Sequence, residues 1–247
     1  MTRPTFFEHF DGVSVDWRYL RDRDAEALAR EAGWIARQGL RVIVDCTSGI
    51  NLYPDLRMVN NDPEEFAESM ETFRGLFEKM TKLGAEQVIV SLHRHPENNF
   101  TGEQTRQSFE ETLRTLCADA AARGITVYLR TTPKTGESIN GIVAMVDRVA
   151  APNLRWAAST AMLVEQKANA IDVAALLKDR PGLWLASMPA HDAAGKAWTM
   201  NAPLAENPDT ALAVKYIAAA PGEPVLLDGV YANWDEEYGD VRLVETN

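Results

Sequence analysis

The sequence predicts an α/β fold, a parallel (β/α) barrel, and three observations support that prediction. First, amphipathic helices alternate with short apolar strands along the chain, as they do in βαβ units that build a parallel sheet. Second, a glycine or proline stands at each joint between a helix and the strand that follows it. Third, the chain has 247 residues, a length that such barrels routinely occupy as one domain.

Seven strands are predicted from short apolar runs that are rich in β-branched residues. They lie near residues 12–16, 41–46, 87–92, 125–130, 154–158, 183–187 and 225–228. Seven is one strand short of a closed (β/α)8 barrel. A nucleotide-binding doubly wound sheet is the alternative, but it needs a glycine-rich turn, and neither GxGxxG nor GxxxxGKS/T occurs in the sequence.

Capping residues indicate where the helices between these strands begin. Asp62 followed by Pro63 predicts the start of one helix, and Thr101 with Gln104 predicts a capping box at the next. Asn207, which also precedes a proline, predicts a helix late in the chain. Weaker helical patterns lie over residues 24–38, 138–150 and 169–179.

Composition and charge exclude several classes of function. The chain has 25 Lys and Arg against 36 Asp and Glu, and a net charge of −11 argues against nucleic acid or an anionic membrane as a partner. No apolar run approaches the ~18 residues of a membrane helix, and residues 1–10 lack a signal-peptide core, so we expect a cytoplasmic protein. The two cysteines, Cys46 and Cys117, have no CxxC spacing and are expected to be buried thiols, with Cys46 as a nucleophile the less favoured alternative.

Several short phrases along the chain carry a family resemblance. Residues 10–13 (FDGV) and 82–90 (KLGAEQVIV) resemble two strands of one protein family. Residues 109–127 resemble a helix of the same family and the strand that follows it. Over about residues 10–229 the chain resembles the xylose-isomerase-like TIM barrels, the sugar phosphate isomerase/epimerase superfamily. The resemblance leaves the first strand of that family missing. We therefore expect residues 1–247 to form a single barrel domain that is either cut from a longer protein or completed by residues 240–245.

The resemblance also implies which residues of this chain stand at the positions of the family's metal ligands. In that family four strand ends supply ligands to a divalent metal, which polarises a sugar carbonyl and hydroxyl. Carried over to this chain, the ligand of the fifth strand falls at Arg130 and that of the sixth at Ser159. The His-x-x-Asp of the seventh strand becomes Pro189 with Asp192, and the last glutamate falls near Asp228. The resemblance thus implies a degenerate metal site, and we expect neither a metal nor another cofactor.

Polar residues follow the predicted strands at their carboxyl ends, where barrel enzymes place their active sites. Alternation puts His93 and His95 on the same side of one strand end, as an acid–base pair requires. With Asp45 and Asp192 they are the candidate catalytic residues, although the two histidines could instead only bond loop carbonyls. The candidate substrate-binding residues are Arg130, Glu97, His191, Asp228 and Trp234.

Arg130 has two interpretations at its strand end. A guanidinium that points into a barrel mouth needs a partner, because a buried unpaired charge is costly. Asp45 or Asp228 would make a structural ion pair with it. Alternatively, Arg130 binds the carboxylate of a sugar acid or the phosphate of a sugar phosphate through its planar fork of donors.

Two classes of function follow from these observations. The first is a sugar-directed enzyme that performs isomerase, epimerase or lyase chemistry without metal, since proton abstraction beside a carbonyl needs only a base and a group that stabilises the enolate. The second is a non-catalytic barrel that binds carbohydrate or forms a structural domain of a larger protein. The expected ligand is a small-molecule carbohydrate. A second copy of the chain or a neighbouring domain of the same protein is the further partner that we consider.

Overall fold

The computed structural model describes residues 10–47, 58–59, 62–91, 100–130, 138–191, 197–202, 210–219 and 222–227. Its helices are α1 (Trp17–Arg21), α2 (Ala25–Gln38), α3 (Pro63–Leu83), α4 (Gly102–Ala121), α5 (Ile139–Val149), α6 (Thr160–Glu165), α7 (Ala170–Leu177) and α8 (Thr210–Ala219). Its strands are β1 (Gly12–Asp16), β2 (Arg41–Asp45), β3 (Gln87–Ser91), β4 (Thr126–Arg130), β5 (Leu154–Ser159), β6 (Gly182–Ala186), β7 (Met188–His191), β8 (Ala197–Ala202) and β9 (Val225–Leu227).

All seven predicted strands are present, and they are the parallel strands β1 to β6 and β9. Each boundary lies within one residue of its prediction. The agreement is this close because a glycine or proline lies between each of the strands β2 to β6 and β9 and the helix before it, and the apolar run begins within two residues of it. Residues 240–245, predicted as a replacement for the missing strand, lie outside the described residues.

The chain forms two compact units, and the first contains residues 1–129 and 145–154. In this unit the strands follow one another in the order β1-β2-β3-β4. The parallel register of β1 and β2 runs from Gly12 beside Arg41 to Asp16 beside Asp45. Since parallel neighbours end at the same edge of a sheet, this register brings the last residues of β1 and β2 together.

Capping residues set the helices of the first unit as the sequence predicts. Asp62 accepts hydrogen bonds from the first backbone amides of α3, and Thr101 with Gln104 makes both bonds of a capping box at α4. Helices α2 and α3 each end at a glycine with positive φ, Gly39 at 67° and Gly84 at 79°. The buried faces of α3 and α4 supply much of the unit's core, including Phe73, Phe77, Met80, Leu113 and Leu116.

The second unit contains residues 130–144 and 155–247, and its parallel strands follow the order β5-β6-β9. Trp156 on β5 stands beside Gly182 on β6, and Trp184 on β6 stands beside Val225 on β9. The Trp156 indole N–H donates to the Arg180 carbonyl over 2.8 Å, and its ring meets that of Trp184 edge to face, with 5.3 Å between centroids. This aromatic pair packs across β5 and β6 on one face of the sheet.

Two features of the second unit were not predicted. The strands β7 and β8 form an antiparallel hairpin, which the sequence hides because Pro189 interrupts the strand pattern. Helix α6 begins directly after β5, with no glycine or proline between them. The predicted helix after Asn207 is present as α8, although the residues that were expected to start it lie outside the described part of the chain.

None of the helices in the described part of the chain combines the length and the apolar character that crossing a membrane requires. The separation into two units does not test the prediction of a single domain over residues 1–247, which stays a prediction.

Candidate functional site

Two of the predicted site residues, Asp45 and Arg130, are described with their side chains, and both lie at the strand ends where they were expected. His191 lies in β7, where only the backbone is described. The remaining predictions fall outside the described residues: His93, His95, Glu97, Asp192, Asp228 and Trp234.

Asp45 ends β2, and the residue beside it on β1 is a second aspartate, Asp16. Both side chains are half-buried. One carboxylate oxygen of Asp45 accepts hydrogen bonds from the backbone N–H and the hydroxyl of Thr47, each over 2.6 Å. Neighbouring parallel strands lie about 4.8 Å apart, so this edge of the first unit carries two adjacent carboxylates.

Arg18 fixes the orientation of Asp16. One oxygen of the Asp16 carboxylate accepts from the backbone N–H of Arg18 and from its Nε, both over 2.8 Å. The other oxygen meets Nη2 of the same guanidinium, which completes a two-point ion pair. Asp16 is also the N-cap of α1, so the helix start and the ion pair hold the carboxylate from two directions.

Sequence reasoning missed Asp16 as a site residue. The available signal was an aspartate at the end of a predicted strand, followed at once by residues that can start a helix. What the sequence could not supply was the register of β1 against β2, which makes Asp16 the neighbour of Asp45.

Cys46 lies beside this carboxylate pair but has the wrong properties for a nucleophile. Its residue is 1% exposed, and its backbone N–H donates to the Ile89 carbonyl over 2.9 Å. Burial, reinforced by the negative charges of Asp45 and Asp16, raises the pKa of the Cys46 thiol well above its usual value. Cys117 is buried too, and burial raises its pKa to about 12. The expectation of two buried thiols is confirmed.

Arg130 belongs to the second unit and is half-buried at the end of β4. Its position at the carboxyl end of the strand agrees with the prediction. The choice between its two roles, structural ion pair or anion contact, stays a prediction.

The second unit carries three hydroxyls where β5 and β6 end. Thr160 Oγ1 accepts from the backbone N–H of Ser187 over 3.0 Å and donates to the carbonyl of the same residue. Ser159 and Ser187 are 2% and 0% exposed. Neither Oγ has a hydrogen-bond partner among the described residues. The strand ends of this unit therefore combine one satisfied hydroxyl with two unsatisfied ones.

The positions that the resemblance links to metal ligands are only partly described. Ser159 ends β5, and Arg130 ends β4, as expected, whereas Asp192 and Asp228 lie outside the described residues. Within the described ranges, no three His, Cys, Asp or Glu side chains come together as a group that could hold a metal ion.

Comparison with solved structures identifies this arrangement of strands and helices. The IOLI protein, solved with a zinc atom, matches with a TM-score of 0.73 at 12% identity, over 98% of this chain and 87% of that one. A D-psicose 3-epimerase from Clostridium cellulolyticum H10, solved with D-tagatose, matches with a TM-score of 0.70 at 11% identity, over 99% and 91%. The 3-keto-D-glucoside 4-epimerase YcjR from E. coli matches with a TM-score of 0.67 at 15% identity, over 97% and 91%.

At these identities the likeness to solved structures shows the fold alone, an α/β TIM-like barrel with seven parallel strands. No protein with a curated description matches the sequence. The family model described as "Xylose isomerase-like TIM barrel" matches residues 7–199, which is well over half of the chain. The chain therefore belongs to the xylose isomerase-like TIM barrel family, as its sequence resemblance implied.

Proposed function

We propose that this protein is a carbohydrate-directed barrel, which binds or acts on a sugar or sugar acid at the carboxyl ends of its strands. One observation carries the proposal: Asp16 and Asp45 stand side by side at the ends of β1 and β2. Each carboxylate is already held by protein donors, Arg18 and Thr47 respectively. Two oriented carboxylates are good acceptors for the adjacent hydroxyl groups of a sugar.

Membership of the family supports a sugar as the ligand. Two of the matching structures are named as sugar epimerases, one for D-psicose and one for a 3-keto-D-glucoside. The strand-end location of Asp45 and Arg130 also agrees with the face at which TIM barrels bind their substrates.

In the catalytic form of the proposal, the reaction is proton transfer next to a sugar carbonyl. Asp45 is the described base, and His93, His95 and Asp192 are the further groups proposed to move protons. Arg130 holds an anionic group of the substrate or stabilises the enolate as charge develops on oxygen. Glu97, His191, Asp228 and Trp234 are proposed to contact the rest of the sugar.

The residues at two strand ends do not fit the divalent metal that the family resemblance implies. Arg130 ends β4 and carries a permanent positive charge, which opposes a cation. Ser159 ends β5 and offers a neutral hydroxyl instead of a carboxylate. We therefore propose that the family's four-ligand site is incomplete here, and the proton transfers above involve no metal.

The same two substitutions favour a second candidate function, a non-catalytic barrel that binds carbohydrate or serves as a structural domain of a larger protein. A barrel that keeps polar side chains at its strand ends but lacks two of the metal ligands can still bind a sugar without catalysing a reaction on it.

Hydrogen exchange separates the two candidates. The protein is incubated with D-psicose, D-tagatose and D-glucuronate in D2O, with and without a chelator, and deuterium in the sugar is followed by proton NMR. The catalytic form expects exchange that survives the chelator, is lost in Asp45→Asn and is kept in Asp172→Asn, a matched change on the exposed face of α7.

Binding of a sugar without exchange supports the non-catalytic barrel. Exchange that the chelator abolishes contradicts the proposal of a reaction without metal. If neither ketose nor the sugar acid binds or exchanges, the carbohydrate proposal is wrong.

A further inference from the structure

Ser159 and Ser187 have an unusual combination of properties in the second unit. Their residues are 2% and 0% exposed, and neither side-chain oxygen has a hydrogen-bond partner among the described residues. Ser159 is also the N-cap residue of α6, yet its hydroxyl makes no capping bond to the helix. Buried hydroxyls almost always have a partner, so a pair without one calls for an explanation.

The two serines lie on one face of the strands. Ala186 and Met188 pack in a cluster with Ala213 of α8, so their side chains face the helices. Ser187 joins β6 to β7 between these two residues, and because both of its neighbours face the helices, we infer that its side chain points to the opposite face. Leu185, which precedes Ala186, points to that opposite face as well.

The register of β5 against β6 places Ser159 on the same face as Ser187. Ser159 is the register partner of Leu185, and partners in a sheet point to the same side. Thr160, the next residue, is hydrogen bonded to the backbone of Ser187, which keeps the two serine positions close. Both hydroxyls thus lie near each other, away from the helices, where the strands end.

The chemistry of this face favours an uncharged ligand. A serine hydroxyl donates one hydrogen bond and accepts two, which matches the hydrogen-bonding capacity of a sugar hydroxyl. The described residues nearest the two serines on this face of the strands, Ala157, Leu183 and Leu185, carry no charge and suit the C–H surface of a sugar ring. Arg155 shares the face but stands near the start of β5, at the opposite end of the strand from Ser159.

We propose that Ser159 and Ser187 form a subsite that binds adjacent hydroxyl groups of a neutral sugar, and this rests on the proposed carbohydrate function. The ligand completes the hydrogen bonding that the protein leaves open at these two side chains. Thr160 holds the two strand ends at the spacing that the subsite requires.

The test compares dissociation constants for D-psicose, D-tagatose and D-glucuronate in the wild type, Ser159→Ala, Ser187→Ala and a control. Ser69→Ala is the control, because Ser69 is another buried serine but lies in α3 of the first unit. We expect each strand-end variant to bind the ketoses roughly fivefold to tenfold more weakly, the loss that one neutral hydrogen bond predicts, and the control to bind as the wild type does.

Thermal unfolding without ligand gives a second, independent measurement. If no protein group satisfies the two hydroxyls, Ser159→Ala and Ser187→Ala unfold at or above the wild-type temperature. A clear fall in the unfolding temperature of both variants means that the hydroxyls are bonded within the protein, and it overturns the subsite.

The remaining outcomes separate the subsite from the proposed function. Ketose binding that neither variant weakens overturns the subsite alone. Binding of glucuronate but of neither ketose overturns the neutral ligand and leaves a carbohydrate function standing. Binding of none of the three overturns both.

Discussion

The two units satisfy the polar groups at their strand ends in different ways. In the first unit, the groups at the ends of β1 and β2 are charged, and Asp16 and Asp45 are held by Arg18 and Thr47. In the second unit, the groups at the ends of β5 and β6 are neutral hydroxyls, of which only that of Thr160 is satisfied by the described residues. The carboxylates at the first set of strand ends are thus held by protein donors, whereas two hydroxyls at the second set have no partner among the described residues.

The same contrast extends to the packing behind these edges. In the first unit Glu110, whose side chain is 11% exposed, joins α4 to α5 by accepting from Arg148 over 2.6 Å and from Arg106. In the second unit β5 and β6 pack mainly through uncharged groups, the Trp156–Trp184 pair and the fit of Trp156 against Gly182, although the Glu223 carboxylate also accepts from the Gly182 backbone N–H over 2.8 Å. The stability of the first unit should therefore depend on pH, and that of the second on shape.

Gly182→Ala tests whether the stability of the second unit depends on shape, and it is the substitution from which we expect the largest loss of stability. A Cβ at Gly182 would lie 2.0 to 2.4 Å from three atoms of the Trp156 ring, a ring that the indole hydrogen bond to Arg180 holds in place. Relief requires the ring or the strand to move, so we expect a loss of about 3 kcal/mol in the free energy of unfolding, measured by urea denaturation.

Gly75→Ala is the matched control, because Gly75 lies within α3 and a Cβ there would meet nothing within 4 Å. In a helix interior, alanine should raise stability by about 0.5–1 kcal/mol. Similar changes in the two variants would show that the contact between Trp156 and Gly182 does not constrain the second unit.

Thr160→Val tests the satisfied hydroxyl of the second unit. Valine keeps the shape of the side chain but leaves the buried N–H of Ser187 without its acceptor, so we expect a loss of about 2 kcal/mol in urea denaturation. Because no charge is involved, the loss should be the same at pH 5 and pH 8. Thr115→Val, an exposed change on α4, should cost much less, and equal losses in both would contradict the role given to Thr160.

Glu110→Gln tests the pH dependence of the first unit. Burial raises the pKa of Glu110, but hydrogen bonds from Arg148 and Arg106 outweigh it, and the folded pKa is lowered. A lowered folded pKa stabilises the protein above the unfolded pKa of about 4.3, and this stabilisation is lost as the pH falls through the folded value. The partner arginines are more than a third exposed, so we expect a loss of only about 1 kcal/mol at pH 7.

The difference between wild type and Glu110→Gln should shrink as unfolding is measured at successively lower pH. Glu111→Gln, which changes the exposed neighbour, should show little effect at any pH. A Glu110→Gln difference that stays constant from pH 7 to pH 3 would mean that the carboxylate charge does not join α4 to α5.

Much of the fold was readable from the sequence, because its signals are local. The cap at Asp62 and the capping box at Thr101 fix helix starts within a few residues of chain, and the glycine joints fix the strands that follow. The β7–β8 hairpin was not readable, since Pro189 breaks the strand pattern and the pairing depends on a strand several residues away.

Only part of the candidate site could be predicted from the sequence, because the site depends on strand register and on burial. The sequence placed Asp45 and Arg130 at their strand ends, since a strand end is a local feature. It did not indicate Asp16 or Ser187. Asp16 becomes a neighbour of Asp45 only through the pairing of β1 with β2, and Ser187 is notable only because it is buried without a described partner.

Arg18→Met is expected to change the stability less than the other tested substitutions do. It tests whether the oriented carboxylates of the first unit contribute to folding or to binding. The Arg18 and Asp16 side chains are 33% and 31% exposed, and ion pairs this open to solvent contribute little, so the free energy of unfolding should change by less than about 0.5 kcal/mol. Asp16 keeps its capping bond to the backbone N–H of residue 18 in this variant, but its carboxylate loses the guanidinium that fixes its orientation.

If the oriented pair of carboxylates binds sugar hydroxyls, the dissociation constant should rise roughly fivefold, the equivalent of about 1 kcal/mol, in isothermal titration. Arg30→Met is the control, since Arg30 pairs with the exposed Glu26 on α2 and its replacement should change neither quantity. A large loss of stability with unchanged sugar affinity would assign the Arg18–Asp16 pair to folding and remove the main support for a sugar site in the first unit.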